Sequence, residues 1–147
     1  MYELAILAHV IGATIWTGGH IVLALAVLPD VLKHEDLSYI RRFESGYEKI
    51  GIPALIVQIV SGLYLASFLV PEVSKIFDWG NPAVKLLWVK LSLLLITALL
   101  AADARLRVIP NLSPSNLNSL ALHIIPVTAV SVLFVISGVL YRLGWFA

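Results

Sequence analysis

The stretch LAILAHVIGATIWTGGHIVLALAVL, Leu4 to Leu28, runs for twenty-five residues without a formal charge and holds two histidines. A hydrocarbon core of about 30 Å is crossed by roughly 20 helical residues, so this stretch reads as a membrane-spanning helix. At about 1.5 Å and 100° per residue, His9 and His20 stand roughly 16 Å apart along the axis and about 20° apart around it. They share a face, and Trp16 lies between them on the same stripe. An imidazole in hydrocarbon is costly unless it is paired or ligates something, which makes this stripe the candidate working face.

Three further apolar runs of spanning length follow: Ile50 to Val70, Val84 to Ala102 and Leu120 to Leu143. With 60% hydrophobic and 13% charged residues among 147, and a mean hydropathy of +0.95, the whole chain reads as membrane-embedded. Backbone groups in lipid must be satisfied within the segment, so the spans are helices. The expectation is all-α: one domain over residues 1–147, an integral membrane four-helix bundle with short connections. The first span has no basic residue before it and exceeds the usual signal-peptide core, so it is expected to be retained.

Between the first two spans, DLSYIRRFESGYEK (36–49) spaces Leu37, Ile40, Phe43 and Tyr47 by three, three and four residues with charges between them. That pattern predicts an amphipathic helix lying at the membrane interface, with Asp36 as its N-cap. Lys33, Arg41, Arg42, Lys49, Arg105 and Arg107 fall on one side of the membrane, against Lys75, Lys85 and Arg142 on the other. The positive-inside rule then sets both termini outside, periplasmic in the inner (plasma) membrane of a bacterial-type cell, for this multi-pass chain.

Other polar residues sit inside the spans. Lys90 is six residues into the third and His123 is near the start of the fourth. By depth, His9 pairs with Lys90 at one level and His20 with His123 at the other. His34 reads as a surface residue. Cysteine is absent and Met1 is the sole methionine, which excludes thiolate sites and leaves no soft sulfur ligand for Cu(I). Two imidazoles from facing helices suit a b-type haem, with Arg105 and Arg107 as a clamp for its propionates. Copper held by His9, His20 and His123 is the rival, and a structural or assembly subunit whose histidines bind nothing is the third reading.

The runs LAHVIGATIWTGGH, RFESGYEKIGIPALIVQIVSGLYLA, WVKLSLLLITALLAADARLRVIP and HIIPVTAVSVLFVISGV resemble the copper-resistance D (CopD-like) family of membrane proteins. More distantly they are similar to HemJ-type membrane protoporphyrinogen oxidases. In that second family a histidine followed seven residues later by tryptophan, together with a lysine in a later helix, is associated with haem b; His9, Trp16 and Lys90 match it. The HemJ-type proteins carry a further histidine late in the lysine-bearing helix, near where this chain has Asp103. Their depth in the spans makes His20 and His123 the first choice for the axial ligands of haem b, with His9 and Lys90 forming a second, outer site for another haem, a quinone or a porphyrin. A membrane oxidoreductase working in electron transfer or porphyrin redox chemistry is the implied activity. The expected partners are membrane lipid, a quinone, porphyrin or redox partner, and a second copy of the chain, with no nucleic acid; the net charge of +1 says little about partners.

Overall fold

The computed structural model describes residues 1–146. Four long helices account for nearly all of them: α1 (Tyr2–His34), α2 (Leu37–Leu69), α3 (Pro82–Val108) and α4 (Pro114–Arg142), each long and apolar enough to cross a membrane. The fold is the expected all-α, multi-pass membrane bundle. Tyr2 and Phe146 lie at one end, here called the upper end, where Tyr2 meets Phe68 and Lys85 donates to the Phe146 carbonyl. At the lower end, Arg41 donates to the Leu112 carbonyl.

The helices are longer than the apolar runs. Pro29 does not end α1: the chain passes through a π turn at Leu23–Val27 and continues helical to His34. A π turn regroups carbonyls around a place where proline has no N–H to return. A second π turn, Ala104–Val108, extends α3.

The predicted interfacial helix over 36–49 is no separate element. It forms the lower half of α2, a single 33-residue helix with Pro53 inside it. Its apolar stripe is taken up by protein rather than by head groups. Ile40 is fully buried, and Leu37 and Phe43 pack on the same cluster with Leu23, Val27, Val31, Leu112, Leu117 and Leu120. Asp36 caps α2, accepting from the Ser38 and Tyr39 amides at 2.9 and 3.0 Å. Glu35 just before it takes the left-handed conformation (φ 54°) that closes α1.

Helix α1 packs most extensively on α2, α4 packs on α3, and α1 also crosses α4. The close approach of α1 and α2 depends on Gly12, where a Cβ would stand 2.9 Å from the Ala54 carbonyl oxygen. Thr17 donates to the Ser131 carbonyl and Thr128 to the His20 carbonyl, tying α1 to α4. Helices α2 and α3 touch only sparsely. The bundle is therefore a row, α2–α1–α4–α3, whose two end helices leave a crevice between them floored by α1 and α4.

Replacing Gly12 by leucine drives side-chain atoms against a backbone carbonyl that cannot yield. We expect Gly12→Leu to lower stability in detergent by about 1–3 kcal/mol. Gly18→Ala, whose Cβ meets nothing within 4 Å, leaves the melting temperature unchanged or raises it. Hydrogen bonds from the Ser38 side chain and the Tyr39 amide hold the Asp36 carboxyl below its ordinary range. The cap is thus complete above that range and is lost as pH falls below ~4 and through the depressed value. Amide exchange at Ser38 and Tyr39 should accelerate there, and Asp36→Asn should abolish that pH dependence.

Candidate functional site: a two-level crevice

The crevice has an upper and a lower cavity, and Trp16 lines both. The upper cavity, about 240 Å³, takes His9 from α1, Gln58 and Gly62 from α2, Lys90 from α3 and Phe134 from α4. Its remaining walls are almost wholly leucine, isoleucine, valine and alanine. The lower cavity, about 450 Å³, takes His20, Tyr47, Glu44, Glu48, Arg105 and His123. Each expected pair, His9 with Lys90 and His20 with His123, therefore lines a common cavity.

The three spanning histidines are anchored alike. His9 Nδ1 lies 3.0 Å from the Gln58 carbonyl and 3.1 Å from the Ser61 hydroxyl; His20 Nδ1 lies 2.8 Å from the Trp16 carbonyl; His123 Nδ1 lies 2.7 Å from the Ser119 carbonyl. A carbonyl only accepts, so each Nδ1 carries the proton and any lone pair is at Nε2. This is how a ligating imidazole is commonly oriented. At His9 and His20, Nε2 has no hydrogen-bond partner among the described residues. At His123 it faces Asp103 Oδ2 at 2.8 Å. In this arrangement His123 has an acceptor at both nitrogens and must leave Asp103 before it can ligate.

The two arginines of the expected clamp diverge. Arg105 lines the lower cavity and pairs with Glu48 across to α2. Arg107 faces away, one turn from Asp103 and bonded to it at 3.0 Å. No group of three or more His, Asp or Glu side chains is gathered around one point among the described residues.

Tyr47 is the site residue that sequence reasoning left as an apolar stripe position. Its hydroxyl donates to the Trp16 carbonyl at 2.9 Å and stands 3.4 Å from His20 Nδ1, and its ring meets His20 edge-on at 5.6 Å between centroids. The Trp16 ring lies 4.4 Å from that imidazole and 6.5 Å from the Tyr47 ring, between centroids. Tyr47 reaches this place because Gly19 and Gly51 have no side chains: a Cβ on Gly19 would overlap the phenol, and one on Gly51 would stand 2.9 Å from it. Gly62 makes similar room for His9, whose Cε1 would be 3.1 Å from an added Cβ. The signal in the sequence was glycine beside histidine and at i+4 from tyrosine. Asp103 was legible as the ion-pair partner of Arg107 but not of His123, since that bond joins two helices.

A family model described as copper resistance protein D matches residues 41–141. The chain belongs to this family. The matched segment holds Tyr47, Lys90, Asp103 and His123, while His9, Trp16 and His20 precede it. No curated protein and no solved structure matches the chain.

If the glycine seat fixes Tyr47, Gly19→Ala should expel the ring. The Trp16 emission spectrum should then shift as it does in Tyr47→Ala. Wild-type emission in Gly19→Ala would show that Tyr47 is held by something else.

Proposed function

We propose that this copper-resistance D protein handles copper in the membrane, with the lower cavity as the place where the ion is held. The observation that supports this reading most directly is His20, 8% exposed, with Nδ1 pinned to a carbonyl and Nε2 free, in the wall of a cavity that His123 also lines. The surrounding donors are imidazole, carboxylate and phenol. That set suits Cu(II), whereas Cu(I) favours thiolate and thioether. His20 is the fixed ligand, and His123 joins it when Asp103 releases Nε2. Glu44 and Glu48 supply negative charge along the same wall. The excess of basic residues at the lower end orients it toward the cytoplasm of an inner membrane, with both termini outside.

Haem b is the second reading, and the apolar character and size of the lower cavity favour it. His20 and His123 come from different helices there, and Arg105 is placed for a propionate once freed from Glu48. The similarity of His9, Trp16 and Lys90 to the HemJ-type pattern adds to it.

Purified full-length protein in mild detergent separates the two. On the copper reading the protein has no Soret band and binds Cu(II) with nitrogen hyperfine splitting in its paramagnetic resonance spectrum. His20→Ala should weaken that binding at least about tenfold, the loss of one strong ligand. His123→Ala should weaken it less. A Soret band that moves on dithionite reduction and disappears in His20→Ala would replace copper by haem. Unaltered copper binding in both variants would remove the lower cavity from the account.

A further inference from the structure

The upper cavity has features that metal chemistry does not use. Lys90 Nζ donates to the Phe134 carbonyl at 3.3 Å and lies 5.7 Å from the Phe134 ring centroid. No carboxylate pairs with it among the described residues. An ammonium carries three donors, so this one enters an apolar cavity with donors unmet, an arrangement that costs free energy until an acceptor arrives. His9 Nε2 is the second unmet polar atom in the same walls. An ammonium next to a single imidazole lone pair is a poor ligand set for a cation, whereas the ammonium by itself is a good donor to an oxygen acceptor.

The walls specify the rest of the ligand. They are apolar and contributed by all four helices, and α2 and α3 on either side touch only sparsely, which leaves a way in from lipid between them. A ligand entering there comes from the bilayer, keeps an apolar tail in the gap and brings acceptor oxygens to Lys90. Fatty acids and anionic phospholipids also carry such oxygens. Lys90 lies eight residues into α3, about 12 Å from its start, and drawing an ionised head group that deep carries a heavy desolvation cost. A neutral carbonyl on a flat ring reaches the same depth far more cheaply. We propose that the upper cavity binds the ring of a membrane quinone, with Lys90 donating to one carbonyl oxygen, His9 beside the ring and the isoprenoid tail leaving between α2 and α3. Trp16 forms its floor and separates it from the lower cavity. This site does not depend on what the lower cavity holds.

The test uses full-length protein in phosphatidylcholine nanodiscs, titrated with decylubiquinone and read by quenching of tryptophan fluorescence against empty nanodiscs. Saturable quenching is expected. Lys90→Met should weaken binding at least about tenfold, as expected for loss of a charge-assisted hydrogen bond, and His9→Phe should weaken it less. His34→Ala, at an exposed position at the lower end of α1, should bind like wild type. Decylbenzene, which has the tail and ring but no carbonyls, should not compete. Equal affinity in wild type and Lys90→Met, or full competition by decylbenzene or by oleate, would overturn the proposal. An azido-quinone gives a readout independent of variant folding. Cross-links confined to the cavity-lining parts of α2 and α3 support the site, and labelling spread over the lipid-facing surface refutes it.

Discussion

The Tyr47 hydroxyl bonded to the Trp16 carbonyl joins α2 to α1 at the level of Trp16, which lines both cavities. The contact draws the two helices together over Gly19 and Gly51, and Gly12 carries the same close approach one to two turns higher. Within hydrocarbon there is no hydrophobic force between helices, so small residues and cross-helix hydrogen bonds decide which pairs come close. Here they favour α1 with α2. The threonine bonds hold α1 to α4, and α3 follows α4. The end helices of the row are left apart.

The crevice is thus a consequence of pairing and not of a missing side chain. In water such a gap between apolar walls would collapse or recruit a partner. In a bilayer, acyl chains can line it at little cost, so it can stay open to lipid-soluble ligands. Its lower half meets the buried cluster around Ile40 and Leu120 and carries most of the polar groups. Its upper half sets Lys90 and His9 among apolar walls.

Orientation of the imidazoles follows the same economy. Each spanning histidine must satisfy its N–H, and a backbone carbonyl is the acceptor at hand: within its own helix four residues back for His20 and His123, and across to α2 for His9. Proton placement at Nδ1 leaves Nε2 directed at whatever the cavity holds. His20 and His9 keep that atom free. His123 spends it on Asp103, which is shared in turn with Arg107. That three-residue link connects the end of α3 to α4 and gives the lower cavity one fixed histidine and one that is held in reserve.

Hydropathy alone determined the four spans, the all-α class and the membrane setting, because a predominantly apolar run of about 20 residues has no other stable state in a bilayer. The helical repeat also put His9, Trp16 and His20 on one stripe, since angles within a single helix need no partner to be known. What lay beyond one helix was not legible. The apolar face of residues 37–47 is the same whether it meets head groups or protein, and only the buried cluster at the lower end decided for protein, making α2 one continuous rod. Tyr47 beside His20, Asp103 on His123, the divergence of Arg105 and Arg107, and the gap between α2 and α3 all depend on which helices are neighbours. That order was set by glycine contacts and hydrogen bonds between residues distant in the chain, and hydropathy is blind to both.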